Sequence, residues 1–174
     1  LHLARKTWHM LMGLFMVFIY LSGMERAVAV TTLASFLAWD LVMEFSRLRF
    51  PMINDQIMRV WGPVMRASEA NRMSGIPYYI GSCMLAVAIF PKTVAILSIL
   101  FLACGDPMAS LIGILYGKHG PRFKDGKSYI GTMAGVATCG LVGFFFMLSM
   151  GITGTQLVVL SLIGALAGGL VEMI

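Results

Sequence analysis

The sequence predicts an all-α, polytopic membrane protein of about six spans with a cytoplasmic N-terminus, and three observations predict it. Apolar residues gather in runs too long for the core helices of a soluble domain. Charge is scarce: Asp, Glu, Lys and Arg make up 12% of the 174 residues, where a soluble domain carries about 25%. The Lys and Arg that are present fall almost entirely on one side of the apolar runs.

A hydrocarbon core roughly 30 Å thick takes ~20 apolar residues of helix to cross. Runs of this kind are Thr7–Ser22, Ala27–Phe45, Ile76–Phe90, Thr93–Tyr116, Ile130–Met150 and Gln156–Ile174. The first and third are short and are expected to tilt or to reach only the interface. Helices rather than barrel strands are predicted, because barrel strands alternate apolar and polar residues and Leu141–Leu148 does not. The pairs Gly131/Gly135 and Gly164/Gly168 have the spacing that lets helices pack closely. Arg5 and Lys6 precede the first run as in a signal peptide. Glu25-Arg26 then follows without a small-x-small cleavage site, so a retained helix is expected. Cys83, Cys104 and Cys139 each lie in an apolar run with no CxxC or Cys/His pattern, which points to neither a disulfide nor a zinc site. The chain reads as one membrane domain, 1–174, with no soluble module. It stops within an apolar run at Ile174, so a further C-terminal piece is expected.

The bias of Lys and Arg sets orientation. With the N-terminus inside and six crossings, eleven of the thirteen basic residues are cytoplasmic, and only Arg26 and Lys92 lie outside. Two cytoplasmic connections result. Ser46–Gly75 mixes apolar residues with Arg47, Arg49, Arg59, Arg66 and Arg72, a pattern that fits an amphipathic helix at the interface, whether it only attracts anionic lipid or does more. Gly117–Tyr129 reads GKHGPRFKDGKSY, cationic and glycine-rich without hydrophobic periodicity. It is expected to be a flexible phosphate-binding loop, with a plain positive-inside loop as the alternative. His119 is expected to be solvated.

Four acids lie in or at the ends of the apolar runs: Asp40, Glu44, Asp106 and Glu172. Each such residue costs ~2.5–3.5 kcal/mol at a helix centre on insertion scales. All four fall in the cytoplasmic half under the topology above. Asp40 and Glu44 are four apart and share a helical face. Arg47 continues that face, so a structural ion pair with Glu44 competes with a functional role. Asp106 stands between Gly105 and Pro107 in a long apolar run, and the helix is expected to break there. Broken backbone at membrane depth is tolerated where it is protein-buried or lines a watery cavity. That makes Asp106 a functional candidate, against the simpler role of capping a re-formed helix.

Carboxylates in the membrane beneath a cationic loop suit one kind of chemistry. Mg²⁺ takes one or two carboxylates plus substrate phosphates. Lys and Arg neutralise phosphate oxygens, while glycine lets backbone amides approach them. A metal–nucleotide site at the lipid surface is therefore expected. No nucleic-acid partner is expected, and oligomeric state is left open. An ion-coupled transporter also needs intramembrane acids, but the outer half of this chain offers almost nothing polar. A soluble-type P-loop is excluded, because Pro121 stands where Gly126-Lys127-Ser128 would need its leading glycine.

Four stretches, in order, resemble one known family. Arg5-Lys6-Thr7-Trp8-His9 is similar to the RKxxH-type signature of the dolichol kinase, phytol kinase and CTP-dependent diacylglycerol kinase family. Arg66-Ala67-Ser68-Glu69, with Gly75 and Tyr78-Tyr79, resembles its RxxE…GxxYF stretch. Gly105-Asp106-Pro107-Met108-Ala109-Ser110-Leu111-Ile112-Gly113, followed by Gly117 and Lys118, resembles its GDxxASxxG…G block. Lys127-Ser128-Tyr129-Ile130-Gly131-Thr132 resembles its KSxxGS/T element. The resemblance implies transfer of the γ-phosphate of a nucleotide, characteristically CTP, to a membrane lipid alcohol such as diacylglycerol or a polyprenol, with the active site on the cytoplasmic side.

By the same resemblance Asp106 is the essential acid, Arg5 and Lys6 join the site, and Gly113 belongs to the nucleotide loop. Mg²⁺ is expected on Asp106 and Glu172. The general base is left open between His9, whose ring titrates in a suitable range, and Asp106, with interfacial hydrogen bonding as the simpler role of His9. The nucleotide is expected on Gly105, Ser110, Gly113, Gly117, Lys118, Arg122, Lys127 and Ser128, with Arg66 and Glu69. Two departures stand out. The family's asparagine-containing DN segment would follow Glu172, and the chain stops two residues later. Tyr129-Ile130 also stands where an acidic residue is common. Phosphatidate cytidylyltransferase also combines CTP, Mg²⁺ and lipid and is the alternative, though its long basic-acidic C-terminal signature is not seen.

Overall fold

The computed structural model describes residues 3–117, 120–123 and 126–171. Among them the chain is all helix. The order is α1 (Leu3–Leu21), α2 (Arg26–Arg49), α3 (Pro51–Trp61), a 3₁₀ turn (Ala67–Asn71), α4 (Ile76–Ile89), α5 (Lys92–Leu100), a π-helical turn (Phe101–Gly105), α6 (Asp106–Tyr116), α7 (Tyr129–Ser149) and α8 (Gly154–Val171). Three helical stretches are long and apolar enough to cross a membrane: Arg26–Arg49, Lys92–Tyr116 and Tyr129–Ser149. Ile76–Ile89 and Gly154–Gly169 are shorter apolar helices. Large apolar side chains such as Phe18, Phe36 and Phe145 are exposed, and exposed apolar surface of this kind marks contact with a membrane or a partner.

Local sequence explains the breaks. Pro51 ends α2, because a residue before proline is pushed out of the helical region; Phe50 is extended at φ −120°, ψ 107°. The 46–75 connection is therefore three pieces: the end of α2, the short α3 and the 3₁₀ turn. Pro107 does not act in this way. The helix was expected to break at Asp106, yet it runs on without interruption from Lys92 to Tyr116, with Asp106 itself at helical φ −59°, ψ −49°. A proline normally clashes with the carbonyl four residues back. The π turn immediately before Asp106 widens the helix there and accommodates the proline ring. Such single-turn π insertions recur at functional sites.

The chain forms two compact bodies. Among the described residues, the first comprises 9–17 and those of 97–171, the second 3–8 and 18–96. In the first, α7 is central, with α6 on one side and α8 on the other. Their close approach depends on glycine. A Cβ on Gly164 would lie 3.0 Å from the Phe101 ring, one on Gly143 3.3 Å from it, and one on Gly168 2.7 Å from Cys139 Sγ. The π turn's phenyl ring thus fills a slot cut by glycines in α7 and α8. In the second body α2 packs on α4, and α3 folds back on the end of α2. The Arg26 guanidinium donates to the Phe90 carbonyl at 3.1 Å, and Lys92 sits 4.7 Å over the Tyr20 ring.

Candidate active site

In the first body, the motif residues line the meeting of α6 and α7. Gly105, Ala109, Gly113 and Gly117 recur every four residues along α6 and face Ser128, Gly131, Gly135 and Cys139. A Cβ on Gly131 would stand 2.7 Å from the Ala109 carbonyl oxygen and 3.0 Å from Gly113 Cα; one on Gly113 would stand 2.9 Å from Ser128 Oγ. One on Gly105 would be 2.6 Å from Cys139 Sγ, and one on Gly117 2.5 Å from Ser128 Oγ. The space in front of these glycines is filled by protein, so packing of α6 on α7 demands them. Backbone atoms cannot yield as a flexible side chain can. Gly131→Ala should therefore force the helices apart at a cost of about 1–3 kcal/mol, seen as a lower thermal midpoint in detergent. Gly81→Ala is the control, since its Cβ would meet only Leu37 at an ordinary 3.8 Å. Equal midpoints for the two variants would refute the packing.

Ser128 caps α7, its Oγ accepting from the Gly131 N–H at 3.1 Å, one of the donors a helix start leaves open. The connection before it was expected to be flexible, and its described residues instead form a pinned turn. Arg122 and Ser128 make an antiparallel bridge. The Phe123 N–H donates to the Lys127 carbonyl at 2.8 Å, and the Gly126 N–H to the Phe123 carbonyl at 3.0 Å. Gly126 takes φ +86°, a left-handed conformation open to glycine. The exposed Arg122 guanidinium ties the turn to the end of α6 by donating to the Gly126 carbonyl at 3.2 Å and the Gly117 carbonyl at 3.4 Å. Lys118, His119, Lys124 and Glu172 lie outside the described residues.

Asp106 is exposed at the head of α6, with the half-buried Ser110 one turn below it. The sequence suggested an acid beside the cationic loop. The helix instead separates Asp106 from Gly117 by about 16 Å, at 1.5 Å per residue, so acid and cations occupy opposite ends of α6. No group of three or more His, Cys, Asp or Glu gathers among the described residues. One exposed carboxylate fits Mg²⁺ that arrives on substrate phosphates, since that ion seldom uses a cage made only of protein.

In the second body a buried ion pair organises the other motif residues. Arg47 meets Glu44 two-pronged, Nε to Oε1 at 2.9 Å and Nη2 to Oε2 at 2.7 Å. Its remaining donors reach the Glu69 carbonyl at 2.9 Å, the Arg72 carbonyl at 2.6 Å and Asn54 Oδ1 at 3.2 Å. The Ser74 N–H donates to Glu44 at 2.9 Å. Of the two roles open to Glu44, the ion pair is the one observed. Glu69 turns inward as well, accepting from the Arg66 N–H at 2.8 Å, while the Arg66 side chain is exposed. Arg5 Nη2 and Glu69 Oε1 both lie over Gly75, at 3.7 and 3.8 Å from where its Cβ would be. Residues from the first and second stretches thus meet here. Lys6 and His9 are half-buried on α1. Sequence reasoning missed Asn54, Ser74 and the role of Arg47 toward the 3₁₀ turn. The spacing of Glu44 and Arg47 was the one signal available.

Comparison with known proteins finds relatives that share one name. CTP-dependent diacylglycerol kinase 1 of Eremothecium gossypii is 30% identical over 148 residues, covering 82% of this chain and 46% of that protein. The protein of the same name in Schizosaccharomyces pombe is 28% identical over 139 residues, 80% of this chain and 63% of the relative. That of Saccharomyces cerevisiae is 27% identical over 149 residues, 83% and 51% respectively. The chain is thus similar to three CTP-dependent lipid kinases over about four fifths of its length. It spans from about half to somewhat under two thirds of the length of these curated relatives. No family model matches the chain, and no solved structure matches it. Among the described residues of the first body, Asp106 at the head of α6 and Arg122 on the pinned turn are the exposed charged side chains.

Proposed function

We propose that this chain is the membrane-embedded core of a kinase that transfers the γ-phosphate of CTP to the hydroxyl of a lipid alcohol. The observation that carries it is the kinship with three CTP-dependent diacylglycerol kinases over four fifths of the chain. The first body supports the reading, with an exposed carboxylate at one end of α6 and a cationic turn fixed to the other. Phosphoryl transfer asks little covalent chemistry of a protein; positioning and charge neutralisation supply most of the catalysis. Asp106 would hold Mg²⁺ on the triphosphate, where the ion neutralises charge developing on the transferred group. Arg122 and Lys127 would contact phosphate oxygens nearer the ribose, and Ser110 would donate a hydrogen bond beside Asp106. In the second body Arg5, set with Glu69 over Gly75, is assigned to an anionic group of substrate, with Lys6 next to it in the chain.

Six crossings with the N-terminus and the site in the cytoplasm complete the proposal, supported by the one-sided distribution of Lys and Arg. Purified protein in diacylglycerol micelles should move label from the γ-position of CTP into lipid and leave α-label in solution. Label entering lipid from the α-position would mark a cytidylyltransferase and overturn the assignment. In sealed vesicles, added CTP should be used only where the cytoplasmic face is outward.

A further inference from the structure

The pinned turn carries an aromatic pair with no part in the chemistry above. Phe123 and Tyr129 stack with centroids 3.9 Å apart and planes inclined by 24°. The backbone fixes both rings: the Phe123 N–H donates to the Lys127 carbonyl, and the Tyr129 N–H donates to the Pro121 carbonyl at 3.3 Å. Phe123 is half-buried and Tyr129 is 44% exposed, so the open face of the pair belongs to the tyrosine. A flat π surface therefore stands on the same turn as the cations Arg122 and Lys127.

We infer that Tyr129, backed by Phe123, is the platform on which the base of the nucleotide stacks. The inference rests on the nucleotide-binding function proposed above. Geometry favours it. The turn and Asp106 are separated by the length of α6, about 16 Å, a span comparable to that of an extended nucleoside triphosphate. A base on Tyr129 would lay the triphosphate along α6 with its terminal phosphate toward Asp106, and the cations would meet the phosphates nearest the ribose. A ring already held by its stacking partner loses little freedom on binding, so most of the contact appears as affinity. Every base has a π face, so stacking tightens binding without choosing among bases.

The expected result is specific. In the full chain, Tyr129→Ala should weaken binding of CTP, UTP and ATP by a similar factor, about 5- to 100-fold, measured by calorimetric titration in detergent. Affinity for inorganic tripolyphosphate should stay the same, and turnover at saturating CTP should change by less than about twofold. Tyr129→Phe and Tyr129→Trp should restore binding, whereas Tyr129→Leu, which keeps apolar bulk without a π face, should not. Tripolyphosphate weakened in proportion to CTP would show that Tyr129 merely shapes the turn and would overturn the inference. A changed KM for lipid with unchanged CTP affinity would do the same, marking an interfacial ring. CTP binding by the unaltered protein that ignores Tyr129 removes the inference alone. No CTP binding by the unaltered protein removes the underlying function too.

Discussion

Asp106→Asn is expected to abolish lipid phosphorylation while leaving the protein folded. The side chain is exposed at the head of α6, immediately after the π turn. Substitutions at such positions stay within about 0.5 kcal/mol, so the thermal midpoint in detergent should barely move. Activity should fall about a thousandfold. A lost metal ligand at a phosphoryl group forfeits several kcal/mol of charge stabilisation, and about 4 kcal/mol corresponds to that factor at 1.36 kcal/mol per tenfold. The measurement is γ-phosphate transfer across a Mg²⁺ titration beside a thermal melt. A folded variant with near-normal turnover and the parent's Mg²⁺ dependence would sink the proposed role. A variant that melts many degrees early would instead make Asp106 structural.

The helices were legible in the sequence because apolar run length is a strong, local signal. Each predicted run coincides with a helix within a few residues. Gly131/Gly135 and Gly164/Gly168 also do what their spacing suggests, each meeting a neighbouring helix closely. Position along the helix was harder to read. Gly105 and Pro107 flanking Asp106 look like a break, and only the three-dimensional register shows a π turn absorbing the proline. Gly113 and Gly117 look like phosphate-loop glycines because glycine signals close approach. The sequence could not say that the approaching group is α7. The pinning of the described residues of the 117–129 connection was likewise hidden, since it depends on a guanidinium reaching a helix end and a ring stacking across a turn. Such contacts leave no periodic trace.

Arg47 carries the largest expected effect on stability. Its side chain is 2% exposed and Glu44 is 4% exposed, so neither charge has water to fall back on. Besides Glu44, the guanidinium satisfies the carbonyls of Glu69 and Arg72 and holds Asn54, whose own amide reaches the Ala70 carbonyl at 2.9 Å. One side chain thus joins the end of α2, α3 and the 3₁₀ turn that bears Glu69. Arg47→Ala leaves a buried carboxylate uncompensated and two carbonyls without donors, so a loss of about 3–5 kcal/mol is expected. Arg47→Lys keeps the charge but cannot reproduce the planar fork, and should fall between. Replacing both partners, Glu44→Gln with Arg47→Met, removes the stranded charge but not the stranded carbonyls, so it should recover only part of the loss. Thermal unfolding in one detergent ranks the four proteins, and limited proteolysis reports whether residues 50–75 open first. Equal stability of Arg47→Ala and the parent would mean that the pair contributes nothing to the fold. Full recovery in the double variant would mean that the carbonyl bonds contribute nothing beyond the charge, and the 3₁₀ turn would then need another anchor.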